Sequence, residues 1–543
     1  MMFFVYVALV VAVFMAVSAS WYVRDLRNLK RAVRENFGKP PQEQDYGLGS
    51  IESYHACKSA SEGAGEYIDD ITWGDLDMDK IFRRINACHT SVGEEYLYSC
   101  LREPQFDTAG LELREAFIQR MKAQPEARFK IQMCLARLGK LDFNGLADLI
   151  YSHDRQPLKY AFIYNIFALL PVLFGGLIFI NAFAGIAGLV ASLMLNTAVS
   201  LAKRRAIEHV FATVNYFLSM LWHCKKLREL ENFKSEPFLA RLHEPFMIFK
   251  PLIWRSTETI SKSSNETGML NEFLRMWFLS DVRSYNKIIG SVSRNKARLH
   301  DLYKMVGELD MAICVLSYRE SLSYFAKPEF HAESRRLDFE EIYHPLLDEP
   351  VANNGAIANN SIITGSNASG KSTFIKTLAV NGILAQAIYT CTARAYASRP
   401  ALVMTSMALR DDISEGESYF ITEIKSLKRI LDKIKSVYCV CFIDEILRGT
   451  NTTERVAASA AILAYLGGMD CLCLAASHDI ELARMLDGAV DNYHFREQIT
   501  DSGMAFDYKI RRGISNTRNA IKLLRHMGFD SAIVENAEKL AGK

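Results

Sequence analysis

The chain has 543 residues, of which 50% are hydrophobic and 23% are charged, and its formal net charge is +2. This composition excludes a wholly membrane-buried or disordered protein, and the length allows about three or four domains. The near-zero charge gives no overall attraction to nucleic acid, although a local basic surface is compatible with it. The 11 cysteines lack metal-ligand spacing, and we interpret them as core residues in a reducing compartment.

The first 23 residues are mostly apolar and carry no charge. As a helix rising about 1.5 Å per residue, they can just cross a hydrocarbon core of about 30 Å. A cleavable signal peptide is the alternative, because AVSAS at 16–20 resembles a cleavage site, but a basic n-region is missing. We predict an uncleaved anchor over 1–23 and a linker over 24–76. Basic residues after the anchor predict a cytoplasmic C-terminal side and an outside N-terminus.

A second uncharged stretch extends from Tyr160 to Ala202, between Lys159 and Lys203. As one helix it would be about 64 Å long, roughly twice the bilayer core, so we predict a transmembrane helical hairpin over 160–202 that turns near Ile180. Its basic flanks predict that both ends face the cytoplasm. The two regions together predict three spans and a multi-pass membrane protein. The alternative is the buried helical core of a soluble protein.

The segments on either side of the hairpin, 77–159 and 203–335, have the pattern of amphipathic helices. In the first segment, Leu97 and Leu101 fall on one helical face, and Pro104 ends that helix. The second segment mixes aromatic and basic residues, such as Trp222 and Lys225. It indicates either a helical bundle with a solvated basic face or a surface for nucleic acid or lipid headgroups.

Residues 362–377 read IITGSNASGKSTFIKT, an apolar β-branched run followed by a glycine-bounded loop and a helix-compatible segment. This pattern predicts a phosphate-binding loop between a strand and a helix. The glycines permit a tight turn whose N–H groups face phosphate, and the helix directs its positive end at the same anion. Lys371 would reach the terminal phosphates of ATP. The predicted nucleotide-binding loop residues are Gly365, Ser366, Asn367, Ala368, Ser369, Gly370, Lys371, Ser372 and Thr373.

Two further apolar strands end in polar residues. Residues 437–445 read VYCVCFIDE, and we predict that Asp444 and the hydroxyl of Ser372 hold Mg²⁺. Glu445 would polarise the attacking water, and His478, which follows a third strand, would contact the γ-phosphate. The predicted catalytic residues are therefore Glu445, His478 and Lys371. Strands separated by helices imply a mostly parallel sheet with the site at its carboxyl edge.

Residues of about 340–540 resemble the ATPase domain of the MutS family of DNA mismatch-repair proteins. The matching stretches are TGSNASGKST at 364–373, DDISEGESYFITEI at 411–424, DEILRGTNTTE at 444–454 and SHDIEL at 477–482. The resemblance implies an α/β P-loop ATPase domain over 336–543, with a mostly parallel sheet flanked by helices. It also implies that the preceding all-α region, which carries the predicted transmembrane helices, is the core and lever part of such a protein.

The resemblance implies roles for further residues. Ser418 would face the nucleotide of a partner subunit, so the active unit would be a homodimer with composite sites. Tyr508 would lie against adenine, although Val351 stands where many members have a phenylalanine on the other face. There is no room for the family's mismatch-reading domain before Asp77, and a DNA-gripping clamp is not recognisable. We therefore expect action on DNA without mismatch reading by the usual domain.

Three functions are compatible with these features. We favour a membrane-anchored MutS-like ATPase in which ATP-driven closure of the dimer moves lever helices. The second is a membrane ATPase switch or scaffold that binds no DNA. The third is a transporter of the ATP-binding-cassette kind, which is disfavoured because the predicted spans carry no charged pathway residues.

Overall fold

The computed structural model describes residues 20–21, 23–42, 47–63, 65–141, 144–152, 157–230, 236–253, 273–366, 369–407, 419–447, 450–500, 503–514 and 528–541. Of the anchor predicted over 1–23, only Ser20, Trp21 and Val23 are described, so that prediction lies outside the described residues. The chain forms two compact units with interleaved segments. One unit is Met1–Ala64, Ala87–Ser99 and Ala116–Ser317, and the other is Gly65–Asn86, Cys100–Glu115 and Tyr318–Lys543.

Helices form the structure up to residue 320, and helices and strands alternate after it. The helices are α1 (Gly49–Glu62), α2 (Asp70–Asp75), α3 (Met78–Ile85), α4 (Ser91–Arg102), α5 (Ala109–Ala123), α6 (Pro125–Leu138), α7 (Leu146–Tyr151), α8 (Ala161–Leu177), α9 (Ala182–Arg228), α10 (Pro237–Ala240), α11 (His243–Phe249), α12 (Ser280–Arg294), α13 (Lys296–Glu320), α14 (Lys371–Ile388), α15 (Tyr419–Lys433), α16 (Thr452–Gly467), α17 (Ile480–Met485) and α18 (Ser531–Ala541). The strands are β1 (Glu329–Phe330), β2 (Leu337–Ile342), β3 (Asn353–Ile357), β4 (Ser361–Thr364), β5 (Ala395–Ser398), β6 (Leu402–Ser406), β7 (Cys439–Asp444), β8 (Cys471–Ser477), β9 (Asp491–Thr500) and β10 (Gly503–Arg512).

The first unit is helical, and its core contains a buried cap for helix α4. The carboxylate of Asp310, on α13, accepts hydrogen bonds from the backbone N–H groups of His89 and Thr90 and from the Thr90 hydroxyl at 2.7 to 3.1 Å. The negative charge therefore lies at the positive end of α4, where a carboxylate is stabilising. Gly93 allows this approach, because a Cβ atom there would come within 2.2 Å of the Asp310 carboxylate.

The long uncharged stretch forms a helical hairpin of α8 and α9. The side chain of Asn181 caps α9 by accepting a hydrogen bond from Ala184 N at 3.1 Å. Helix α9 continues beyond the predicted end of the stretch at residue 202, because its sequence contains no proline or other break before Arg228. Among the described residues, Ala182–Lys203 is the one helical segment whose length and apolarity are sufficient to cross a membrane, while α8 is shorter.

The second unit contains a six-stranded sheet in the order β10-β9-β4-β8-β7-β6. All pairs are parallel except β10 with β9, which confirms the predicted mostly parallel α/β sheet. Strands β4, β6 and β8 are buried at every position, because continuous apolar runs suit a sheet covered on both faces. A smaller sheet has the order β1-β5-β2-β3.

The second unit also contains the helices α2 and α3 from early in the chain. The carboxylate of Asp75, at the end of α2, accepts hydrogen bonds from Thr405 Oγ1 at 2.7 Å and from Met407 N at 2.9 Å. These contacts hold the end of strand β6. The segment predicted as a linker, 24–76, contains helices in both units, since α1 belongs to the first unit and α2 to the second.

Candidate nucleotide-binding site

Three neighbouring strands bring the predicted site residues to one edge of the large sheet. Strand β8 lies between β4 and β7, with Thr364 paired to Ser477 and Asp444 paired to Ala476. Since these strands are parallel, the segments that follow them leave the sheet at the same edge. The phosphate loop after β4, the acidic pair at the end of β7 and His478 after β8 are therefore neighbours. Ligands bind at this edge in open α/β sheets.

The phosphate loop has the backbone geometry that its two glycines permit. Gly365 has φ +151° and Gly370 has φ +98°. Residues other than glycine rarely adopt these values. A Cβ atom on Gly365 would lie 2.8 Å from Ser369 Oγ, whose hydroxyl donates to Ser366 O at 2.7 Å. Gly370 caps helix α14, which begins at Lys371. The predicted residues Asn367 and Ala368 lie outside the described residues.

The loop presents a buried cation and an unpaired hydroxyl. Lys371 Nζ, on a side chain that is 2% exposed, donates to the carbonyl oxygens of Gly365 and Ser366, both at 2.6 Å. Ser366 Oγ is buried and has no hydrogen-bond partner among the described residues. Ser372 is half-buried, and Thr373 is exposed at the first turn of α14. A buried ammonium group, an unsatisfied hydroxyl and a helix N-terminus fit a phosphate ligand.

The acidic pair has a strained backbone at its second residue. Asp444 is buried at the end of β7, and Glu445 follows it with φ +58°. The Glu445 N–H donates to Ala476 O on β8 at 3.0 Å, which holds this left-handed conformation. Its carboxylate oxygen Oε1 lies 3.3 Å from Nδ1 of His478. Strained residues of this kind cluster at functional sites.

A salt bridge next to His478 was not predicted from the sequence. Arg455, on α16, makes a two-pronged contact with Asp479, with Nε and Nη2 each 3.0 Å from a carboxylate oxygen. Both side chains are about 15% exposed, and Asp479 Oδ1 lies 3.6 Å from His478 Nε2. The imidazole therefore lies between the carboxylates of Glu445 and Asp479. The adjacency of Asp479 to His478 was the available signal, but Arg455 lies too far along the chain to be paired with it by pattern.

Helix α15 contacts the segment after Glu445 through a second residue that the sequence analysis missed. The buried carboxylate of Glu423 accepts a hydrogen bond from the backbone N–H of Leu447. Leu447 has φ +60°, so this contact holds another left-handed residue. Ser418, the predicted in-trans signature residue, immediately precedes α15 but lies outside the described residues.

The predicted adenine contact lies beside the phosphate loop. Tyr508, on β10, has φ +52° and is 43% exposed. A Cβ atom on Gly370 would come within 3.0 Å of its ring, and Phe506 stacks on it with centroids 5.8 Å apart. Val351 is also exposed. An accessible aromatic ring at this position suits a stacking contact with a base.

The described residues contain no group of three or more His, Cys, Asp or Glu side chains that could hold a metal ion. A protein-only metal cage is therefore not formed by this part of the chain. Mg²⁺ in phosphate-binding sites needs only one or two protein oxygens, since it keeps waters and takes phosphate oxygens. The donor set of Ser372 and Asp444 fits such a site.

Comparisons with known proteins find relatives of the C-terminal part of the chain. The family described as MutS domain V matches residues 361–543. The chain is 32% identical to MutS protein homolog 4 of Mus musculus over 263 residues, which cover 45% of this chain and 27% of that protein. The human protein of the same name is 30% identical over 45% of this chain and 28% of its own length.

A bacterial relative also matches this chain over only part of its own length. The DNA mismatch repair protein MutS of Clostridium botulinum (strain Okra / Type B1) is 25% identical over 276 residues, which cover 48% of this chain and 29% of that protein. The chain thus matches less than a third of the length of these curated relatives.

Proposed function

Because this chain belongs to the MutS family, we propose that its second unit hydrolyses ATP and works as a switch in a homodimer. The observation that carries this proposal is the meeting of three strand ends, with the phosphate loop, Asp444–Glu445 and His478 at one edge of the sheet. The proposed cofactors are ATP and Mg²⁺.

Each site residue has a proposed role. The loop from Gly365 to Thr373 binds the phosphates through its backbone N–H groups, and Lys371 offsets negative charge as it develops. Ser372 and Asp444 hold Mg²⁺. ATP supplies the phosphoryl group, and Mg²⁺ offsets its charge. Glu445 orients and polarises the attacking water as general base, and His478 holds its carboxylate through the contact at 3.3 Å.

The switch is proposed to depend on a second copy of the chain. In this arrangement Ser418, which precedes α15 in the sequence, reaches the nucleotide of the other subunit. The contact between Glu423 on the same helix and Leu447 supports a direct effect of closure on the segment next to Glu445. Hydrolysis would then open the dimer and move the helical unit.

We also propose that the hairpin of α8 and α9 lies in a membrane, with the ATPase unit on the cytoplasmic side. The support is an inverted polarity over Ala182–Lys203, the part of α9 that pairs with α8. Its buried side carries small or polar residues, whereas its exposed side is apolar, with Phe183 and Met194 being 87% and 69% exposed. A helix of a soluble protein has the opposite arrangement, and small or polar contact residues are typical of helices in lipid. The buried residues of this part of α9 are Gly185, Ser192, Asn196 and Ser200.

The proposed ligand of the dimer is DNA. One relative is named as a DNA mismatch repair protein, and the last turn of α9 carries the basic residues Lys225, Lys226 and Arg228. A duplex, mismatched and branched DNA series, titrated against the detergent-solubilised dimer at increasing salt, tests this. Phosphate contacts predict affinity that falls steeply with salt. The absence of binding at low salt would favour a membrane switch or scaffold that binds no DNA.

The ATPase proposal is tested by Lys371→Ala in the full chain. Hydrolysis should fall at least a hundredfold, about 3 kcal/mol, because charge stabilisation at the phosphates is lost. Lys376→Ala is the matched control on the same helix, since Lys376 pairs with Asp77 at 3.0 Å, and it should hydrolyse ATP within about twofold of the parent. Equal rates in the Lys371→Ala variant and the parent would refute the proposal.

A further inference from the structure

Polar contacts mark one level near the base of the hairpin. Arg283 Nε donates to Asn165 Oδ1 on α8 at 2.8 Å. Asn196 Nδ2, on α9, donates to the backbone oxygens of Phe167 at 2.9 Å and Trp277 at 2.7 Å. A guanidinium group is expensive in hydrocarbon and is stable in the headgroup region. The level of Asn165 and Arg283 therefore marks where the hydrocarbon begins.

From this level, the hairpin is too short to reach the other side of a bilayer. Helix α9 is about 22 Å long from Asn181, at the turn, to Asn196, at 1.5 Å per residue. Helix α8 covers about 18 Å from Asn165 to Leu177 before the turn. A hydrocarbon core is about 30 Å thick. The turn would therefore pass the middle of the bilayer and end about 8 Å short of the far headgroups, and any tilt would increase this gap.

The turn itself is suited to hydrocarbon. Phe179 and Ile180 are 93% and 85% exposed, and residues 160–202 contain no charge. The backbone N–H groups of Phe179, Ile180 and Asn181 donate within the hairpin at 2.8 to 3.3 Å. The side-chain oxygen Oδ1 of Asn181 accepts a hydrogen bond from Ala184 N. Since unpaired polar groups are excluded from hydrocarbon, these internal bonds permit the turn to stay there.

Helices α8 and α9 pack closely enough to enter the bilayer together. A Cβ atom on Gly188 would come within 2.1 Å of the Phe174 ring, and one on Gly185 within 2.5 Å of Ile178. Close approach at glycine is the usual contact between helices in lipid. The apolar side chains are thereby left on the outside of the pair, where lipid chains would cover them.

We propose that the hairpin enters the bilayer from one side and ends within the hydrocarbon, so that α8 and α9 do not cross the membrane. The partner is the lipid bilayer itself, with headgroups at the level of Asn165 and Arg283 and acyl chains around the turn. This inference rests on the proposed membrane attachment and replaces the two crossings predicted for 160–202 with a re-entrant insertion. Both ends of the hairpin lie on one face in either case.

Thiol labelling in membrane vesicles of both orientations, containing the full chain, tests this inference. Ile180→Cys puts a thiol at the turn, and Tyr160→Cys puts one at the base, where Tyr160 is 71% exposed. The unsubstituted chain gives the background from its 11 cysteines. A membrane-impermeant maleimide should label the Tyr160→Cys chain from one face. It should label the Ile180→Cys chain from neither face until detergent is added.

The outcomes separate the inference from the proposal on which it rests. Labelling of Ile180→Cys from the face opposite to Tyr160→Cys would mean that the hairpin crosses, which overturns the inference and leaves membrane attachment intact. Labelling of both variants from the same face without detergent would mean that the hairpin is not inserted, which overturns both. A fluorophore on Ile180→Cys adds a depth measurement, and lipids brominated near the bilayer centre should quench it more strongly than lipids brominated near the headgroup.

Discussion

Strand β8 and the hairpin of α8 and α9 are both uncharged and apolar in sequence, but they use their polar residues in opposite ways. Every residue of β8 is buried, and the polar residues gather where the strand ends, at Ser477 and His478. In the hairpin, Ser192 and Asn196 are buried while Phe179 is almost fully exposed. The difference teaches that hydropathy reports how apolar a segment is, whereas its surroundings decide which side is turned inward.

This comparison predicts that buried polar groups fall into separable classes. Those at the sheet edge should control the rate of hydrolysis, and those inside the hairpin should control stability alone. Buried ionisable groups of the helical unit outside the hairpin should make its folding stability depend on pH, because unfolding exposes these groups to water. The following predictions test each class, beginning with the largest expected effect.

Glu95 tests the class that responds to pH. Burial raises the pKa of its carboxyl group to about 8, although Tyr303 and Asn144 donate hydrogen bonds to it. The folded chain therefore holds this proton between pH 4.5 and about 8, where the unfolded chain has released it. Folding stability should fall as pH rises through this window, by at most about 1.4 kcal/mol per pH unit and about 5 kcal/mol in total.

Glu95→Gln should remove this pH dependence, because the amide cannot ionise. Denaturant unfolding at several pH values, compared with the parent chain, measures the effect. Glu112→Gln, at an exposed position on α5, controls for the substitution itself. Parallel stability curves for parent and Glu95→Gln between pH 5 and about 8 would contradict the prediction.

Glu445→Gln tests the sheet-edge class. Hydrolysis should fall at least a hundredfold, about 3 kcal/mol in barrier height, because the amide cannot accept a proton from water. ATP binding and thermal stability should stay near those of the parent, and the ATP-bound dimer should accumulate. Steady-state hydrolysis and size analysis with ATP measure these effects. Glu481→Gln, at an exposed position on α17, is the control, and loss of ATP binding in Glu445→Gln would argue against a role in the chemical step.

Asn196→Leu tests the hairpin class. The substitution removes the donor for the Phe167 and Trp277 carbonyl oxygens, and it should destabilise the helical unit by about 2 kcal/mol. Hydrolysis at low temperature should remain within about twofold of the parent. Unfolding in detergent micelles measures the change. Thr197→Val, which loses only a hydrogen bond to Leu193 within the helix, should have a smaller effect; equal losses would remove the distinction between the two sides of α9.

Arg455→Gln is a second test of the sheet-edge class. Arg455 is a positioning residue, because it acts on His478 through Asp479. We expect kcat to fall about tenfold, about 1.4 kcal/mol, with little change in KM, since the imidazole loses its fixed orientation. Asp479→Asn should have the same effect, and the double variant should not add to it. Arg455→Lys should restore part of the rate. A fall in unfolding temperature with unchanged kcat would show that the salt bridge stabilises the fold and does not position His478.

Much of the site was accessible to sequence reasoning because its parts are short and local. The phosphate loop needs glycines at fixed spacing, and Asp444, Glu445 and His478 each follow a recognisable strand. Arg455, Asp479 and Glu423 were missed, because their roles arise from contacts between segments far apart in sequence. The predicted crossings at 160–202 rested on length, absence of charge and basic flanks, and they stay a prediction, since these features do not register the level of Arg283.

The sequence by itself determined the elements whose causes are local. A glycine-bounded loop before a lysine, an acidic pair after an apolar run and an uncharged stretch each have one dominant physical interpretation. Tertiary structure decided the order in which β4, β8 and β7 lie side by side, and hence that their polar ends meet. It also decided which face of α9 is turned outward and where the hairpin meets charge. These features depend on long-range packing. The segments that pack against a strand or helix determine its neighbours and its buried face, and its own residues do not.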